Sequence, residues 1–420
     1  MEAWITQIPI AVWIGGFLAL YMAWAIGAND VANAMGTSVG SGALTVRNAI
    51  IAAAVFEFAG AFLAGGHVTN TVRKGMLDMT IASQSPEIIL YGMLGALASA
   101  GTLLVIATAW GLPVSTTHSI VGSIVGFGAV GFGIDAVNWG KVAGIVMSWG
   151  TSPLIGGGLA FLIFTIIRKT ILDRDNPLER AQRLGPFFFF YVFFMIGLVT
   201  FFKGLKKLNL DYSLGEAVLI SIGLGFVGML LGWLFLRRVH RVAGENGIDE
   251  FESVERGFVV MQILTACAVA FAHGSNDVAN GIGPLAAIHN LAYGGAVEAK
   301  TGVAPWMLAI GGVGIVVGLA TWGYRVMETI GKKITELTPS RGFAAELGAA
   351  TTIAVASRLG IPVSTTHILV GAVLGVGLAR GIGALDLRVV GSILVSWVAT
   401  LPAAALMSIV FFYFFKGLLG

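Results

Sequence analysis

Residues 27–33 read G-A-N-D-V-A-N and residues 274–280 read G-S-N-D-V-A-N, an offset of 276 − 29 = 247 between their asparagines. Residues 113–118 read P-V-S-T-T-H, and residues 362–367 repeat them at 362 − 113 = 249. Ser148-Trp149 and Ser396-Trp397 match at an offset of 248. Three matches in one order at nearly one spacing mark an internal duplication. The copies span roughly 8–168 and 257–416. The chain therefore divides into a first transmembrane repeat (1–168), a central two-helix insert with its loops (169–256) and a second repeat (257–420).

The surroundings of these motifs are apolar. Hydrophobic residues make up 56% of the 420 residues and charged residues 11%, with mean hydropathy +0.88. A soluble domain averages about 25% charged residues, so most of this surface must face lipid. A spanning helix needs about 20 mostly apolar residues. The stretches 8–28, 48–66, 88–110, 140–167, 186–202, 214–236, 257–275, 305–324, 343–360 and 387–415 meet that need. Two more, 113–133 and 362–380, are apolar, Gly-rich and begin with Pro. The expected fold is an all-α polytopic membrane protein of about 12 segments, some of them broken. Residues 1–4 carry no basic region of a signal peptide, so the first apolar run reads as a retained helix. Cys267 is the single cysteine and excludes an internal disulfide or a Cys-based metal cluster; it reads as a packing residue. A net charge of +3 is too small to point to nucleic acid.

Loop charge sets the relative orientation of the copies. Arg168, Lys169, Arg174, Arg180 and Arg183 cluster in one loop. Two crossings later come Arg237, Arg238, Arg241 and Arg256. The positive-inside rule makes both loops cytoplasmic. Residues 1–9 hold no Lys or Arg, so the first copy starts outside and the second inside. The repeats are then inverted, with both termini external. Lys203, Lys206 and Lys207 fall outside in this scheme, against the rule. Five crossings per copy are required, so 113–133 and 362–380 must count as crossings; if they dip in and return, the copies become parallel.

Asn29, Asp30 and Asn33 end one apolar run; Asn276, Asp277 and Asn280 repeat them. A carboxylate at membrane depth costs about 2.5 kcal/mol or more, and a bound cation offsets that. Asp and Asn oxygens, with carbonyls freed where the following Gly-rich helix unwinds, are hard ligands that suit Na⁺. The competing reading is helix–helix hydrogen bonding, which duplication disfavours. In the second motif, Pro113 marks the first position of a helix, and Gly111 breaks the helix before it. A helix start inside the membrane presents free N–H groups and partial positive charge to an anion. Ser115, Thr116 and Thr117 add hydroxyls there. Gly360, Pro362, Ser364, Thr365 and Thr366 build the same object in the other copy. Hydroxyls bonded to their own backbone are the alternative. His118 and His367 read as hydrogen-bonding partners, with proton coupling the lesser reading. Glu57 and Glu346 are intramembrane acids without counterparts in the opposite copy. They are candidate coupling acids, or partners of a basic side chain. No G-x-x-x-x-G-K-[ST] or G-x-S-x-G occurs, so an ATP-driven pump or a membrane hydrolase is disfavoured.

At G-A-N-D-V-A-N-A (27–34), A-H-G-S-N-D-V-A-N (272–280) and both P-V-S-T-T-H blocks, the chain resembles the inorganic phosphate transporter (PiT) family, which includes sodium–phosphate symporters. The resemblance covers nearly the whole chain. It implies twelve transmembrane segments, an inverted duplication, external termini in a cell membrane and phosphate uptake driven by Na⁺ or H⁺. It also implies that Glu57 and Glu346 matter for transport. Sodium would be a co-transported ligand, with no organic cofactor. Phosphate and the bilayer are the expected partners, and self-association stays open. The loop 237–256 is short beside that of animal members, which makes this a minimal, prokaryotic type. Proton-coupled, metal–phosphate and sulfate symport remain alternatives, and an anion channel is a reading of another class.

Overall fold

The computed structural model describes residues 9–65, 76–201, 212–246, 249–294, 303–358 and 363–420. All regular structure among them is helical. The first copy comprises α1 (Ile10–Asn29), α2 (Val31–Gly40), α3 (Val46–Ala64), α4 (Pro86–Ala109), α5 (Thr116–Phe132) and α6 (Trp139–Ile167). The insert supplies α7 (Pro177–Val199) and α8 (Leu214–Asn246). The second copy comprises α9 (Glu250–Ala292), α10 (Pro305–Trp322), α11 (Pro339–Arg358), α12 (Thr365–Arg380) and α13 (Leu387–Leu419).

Nine helices among the described residues are long and apolar enough to cross a membrane, with α1 and α2 counting as one. The tenth expected crossing, 343–360, corresponds to α11. This helix carries Ser340, Glu346, Thr351 and Thr352 and is sheathed by α6, α9 and α12. Polar residues are tolerable there because the helix faces protein.

Local chemistry sets the helix ends. Asp249 caps α9 by accepting from the N–H of Phe251 and Glu252, with Glu250 and Glu252 in the first turn. Asp386 does the same for α13 through Arg388 and Val389. Ser85 precedes α4, whose first residue is Pro86.

The two copies interlock by exchange. α1 packs on α10 of the other copy, and α9 packs on α3; α6 packs on α11 and α12, and α13 packs on α4 and α5. The contacts are backbone-close. A Cβ on Gly27 would stand 1.8 Å from the carbonyl oxygen of Ile315, and one on Gly274 would stand 2.2 Å from that of Glu57. Gly27 and Gly274 are equivalent in the repeat, so glycine here permits close helix crossing. Pro153 of α6 and Pro402 of α13 also correspond, at 402 − 153 = 249.

Two short contacts fix the topology. The Asp78 N–H bonds to Ala136 O and the Asn138 N–H to Met76 O, so the chain before α4 meets the chain after α5. In the second copy the Asp386 N–H bonds to Ile334 O, so the chain before α11 meets the chain after α12. Each copy thus contains a helical hairpin, α4/α5 or α11/α12, whose tip carries the P-V-S-T-T-H motif. The first hairpin opens on the face that holds Pro9, Pro86, Leu291 and Leu419. The second opens on the opposite face, where Glu255 accepts from Thr338 and Ser340, and Arg168 donates to Ala379 O. The repeats are therefore inverted. Both α5 and α12 start inside the protein and return to the face that the preceding helix left. A hairpin adds an even number of passes, so a segment that dips in and returns leaves the inversion intact. Lys203, Lys206, Lys207, Gly360 and Pro362 lie outside the described residues.

Candidate functional site

Asp30 sits between α1 and α2. The expected unwinding after it is absent. Asp30 keeps near-helical angles (φ −91°, ψ −37°), its N–H still bonds to Ile26 O, and α2 continues directly. In the second copy α9 runs unbroken through Asn276, Asp277, Gly281, Gly283 and Pro284. Few carbonyls are freed, so the site is built from side chains.

The helix starts also differ in detail. α5 begins at Thr116, not Pro113, because the Ser115 hydroxyl caps it by accepting from the His118 N–H at 3.3 Å. Ser364 caps α12 through the His367 N–H at 3.2 Å. Gly111 does break α4, with φ +67°. For the two serines the own-backbone reading holds. The threonines behave differently and reach across the molecule.

The two hairpin tips, entering from opposite faces, converge on Asp30. Thr116 donates to Asp30 Oδ2 at 2.8 Å. Thr366, from the other copy, donates to Oδ1. Asn33 donates to that same oxygen at 2.6 Å and to the Thr366 hydroxyl at 3.0 Å. Around Asp277, Thr365 donates to Oδ2 at 3.3 Å, while Asn276 and Asn280 donate to Oδ1 at 3.0 and 3.4 Å. Asn280 also reaches the Thr116 hydroxyl at 3.2 Å, tying the two clusters together. Asn29 turns away. Its Nδ2 donates to the Thr108 hydroxyl and Leu112 O, and its Oδ1 accepts from the Val114 N–H, so it holds the α4/α5 tip. Thr117 is partly buried.

His273, which the motif reading left without a role, stands at the centre. Its Nε2 lies 2.7 Å from Asp277 Oδ2 and 3.5 Å from Asp30 Oδ2. Its Nδ1 lies 3.1 Å from the Glu57 carboxylate. Glu57 thus has a basic partner, supplied by the opposite copy. A signal was present: His273 precedes Asp277 by one helical turn. Its repeat position, 273 − 247 = 26, holds Ile26, so it fell outside the duplicated pattern. One oxygen or nitrogen from each of Asp30, His273 and Asp277 lies within 4.8 Å of the others, a donor set able to hold a cation. Asn33 Oδ1 is buried beside them without a partner among the described residues.

Glu346 occupies a separate buried cage. Its Oε1 accepts from Thr37 (2.6 Å), Ser38 (2.7 Å) and Gln262 (3.3 Å), and its Oε2 from Thr265 (2.7 Å). Four neutral donors surround it, contributed by α2 and α9.

Comparisons with known proteins agree with this architecture. Residues 26–408 match the model of the phosphate transporter family. A protein of Haemophilus influenzae described as a candidate phosphate permease is 46% identical over 404 residues, covering 96% of each chain. One from Pyrococcus abyssi, described likewise, is 47% identical over 395 residues, covering 94% of this chain and 95% of the relative. A solved structure titled "The sodium-dependent phosphate transporter" superposes with a TM-score of 0.88 at 41% identity, over 98% of this chain and all of that one.

Proposed function

The chain belongs to the phosphate transporter family, a family of transporters and not of enzymes, and from that premise we propose that it imports inorganic phosphate together with sodium ions by alternating access. The supporting observation is the meeting of two oppositely inserted hairpin tips at the buried Asp30, beside Asp277. Each tip brings a helix N-terminus and threonine hydroxyls, which are groups that bind an oxyanion. The acids beside them repel an oxyanion. Phosphate therefore enters such a site only with cations that neutralise Asp30 and Asp277. Na⁺ on these carboxylates and on the Asn33 and Asn280 oxygens would free Thr116, Thr365 and Thr366 to turn toward phosphate, while Ser115 and Ser364 cap the helices that face it. Sodium and phosphate then raise each other's affinity reciprocally. His273 holds the acids together, and Glu57 orients His273.

Glu346 is the second candidate coupling acid. Its cage of hydroxyl and amide oxygens offers an all-oxygen seat for a further Na⁺, separate from the phosphate. Alternating access would come from one repeat moving against the other, the motion expected of inverted repeats with a central site. Orientation follows from charge. The face at the α11/α12 base holds Arg168, Lys169, Arg256, Lys332, Lys333, Arg341 and Arg380, which makes it cytoplasmic. The face at the α4/α5 base, where residue 9 and Leu419 lie, is external.

The test is uptake of labelled phosphate by purified protein in liposomes, with Na⁺ or choline outside. Equal uptake in both removes sodium coupling. Competition by sulfate, stimulation by an imposed pH gradient, or dependence on a divalent metal would replace this reading with the corresponding symporter. Equilibration without accumulation would make the chain a channel.

A further inference from the structure

The repeated tryptophans at 149 and 397 remain unused by the site described above. Trp397, on α13, is buried beside the tip of the other copy's hairpin, and its Nε1 donates to Pro113 O at 3.0 Å. On the far side of the same peptide bond, the Val114 N–H donates to Asn29 Oδ1 at 3.1 Å. One peptide plane is thus held at both its polar ends, by α1 of the first copy and α13 of the second. It immediately precedes Ser115, the cap, and Thr116, the Asp30 ligand. Pro113 has no N–H of its own to anchor this stretch.

The ring of Trp397 also belongs to a continuous stack. It lies on His367 with centroids 3.7 Å apart at 17°. His367 meets His118 edge-on at 4.5 Å and 89°. His118 packs on Trp149 at 4.2 Å. The order Trp149, His118, His367, Trp397 places two rings from each copy about a central histidine pair. Each histidine sits in the first turn of its helix, one residue beyond the threonine pair and fixed by the serine cap. The stack therefore ties the first turn of α5 to that of α12.

We propose that Trp397 is a positioning residue for phosphate. Its N–H fixes the Pro113–Val114 peptide, and its ring, through His367 and His118, sets the separation of the two helix N-termini. The inference rests on the reading of those N-termini as the anion site. Trp397 touches neither the cation ligands nor the anion, so its loss changes how well the termini are placed and leaves the sodium ligands intact.

The experiment compares wild type, W397F and W397L in liposomes, reading the phosphate KM, the maximal rate and the sodium half-saturation. W397F keeps a ring for His367 and loses the N–H. A rise in phosphate KM of about tenfold, the size of one lost buried hydrogen bond, is expected, with maximal rate, and sodium half-saturation read at saturating phosphate, within twofold of wild type. W397L, which also loses the stack, raises KM further. A KM within twofold of wild type in W397F overturns the proposal, as does a fall in maximal rate at unchanged KM. Amide exchange of residues 110–116 is followed in parallel: faster exchange in W397F is expected, and unchanged exchange overturns the clamp whatever the transported solute. Wild-type protein that takes up no phosphate would instead refute the functional reading.

Discussion

Replacing Asp30 with Asn tests the cation role most directly. The substitution keeps the size of a side chain that is fully enclosed and removes one charge. A unit charge acting on a cation about 4 Å away at an effective dielectric of ~20 contributes about 4 kcal/mol. That is an upper bound, since Asp277 remains and the pocket relaxes. Even a third of it, at about 1.4 kcal/mol per tenfold, moves sodium half-saturation tenfold. Loss of hydrogen bonds adds less. Thr116, Thr366 and Asn33 all donate to Asp30, and an amide oxygen still accepts from some of them. The expected outcome for D30N is a sodium half-saturation raised tenfold to a thousandfold. Phosphate affinity falls in parallel at low sodium and recovers in part at high sodium, because the two ligands are coupled. The assay is initial phosphate uptake in liposomes over a sodium series, with thermal unfolding in detergent to establish folding. A folded D30N protein with wild-type sodium dependence would refute the assignment.

The remaining predictions concern other parts of the structure. T366V should raise phosphate KM more than T117V, since the Thr366 hydroxyl both donates to Asp30 and accepts from Asn33; about 1 kcal/mol, or fivefold, is expected from uptake kinetics. E346Q should fold and show a sodium Hill slope lowered by about one, whereas E346L leaves Thr37, Ser38 and the Gln262 amide without an acceptor, at about 1–3 kcal/mol each, and should fail to yield monodisperse protein on size exclusion; Thr265 keeps the Gln262 carbonyl. G27A and G274A should each destabilise by about 3 kcal/mol or more in detergent melting, since the added carbon meets backbone that cannot yield; G158A, facing open space, should be neutral or slightly stabilising. A cysteine placed at Asp135 should label with a membrane-impermeant thiol reagent in intact cells, whereas one placed at Lys332 should label only after the cells are permeabilised.

What was legible in the sequence was what repetition writes twice. The hairpin tips, the Asp30 and Asp277 pair and the inversion all come from matched segments or from loop arginines. Helix starts were legible to within three residues, because Pro113 and Ser115 compete as signals and the serine hydroxyl, which can bond the free N–H, prevails. His273 was hidden because its equivalent is Ile26, and a lone histidine in an apolar run carries no partner in one dimension. The Glu346 cage was hidden for a related reason. Thr37, Ser38, Gln262 and Thr265 become its neighbours only once α2, α9 and α11 pack.

Exchange symmetry has a thermodynamic consequence. In a transporter made of two identical inverted halves, swapping the conformations of the halves turns the outward-open form into the inward-open form, so the two have the same energy. In this chain the degeneracy is lifted at its centre. His273 and Glu346 belong to the second copy alone, and Glu57 to the first. With unequal halves the two facing forms of the carrier differ in energy; the solute gradients alone still set the direction of net flux, and the asymmetry sets how readily the carrier runs from each side.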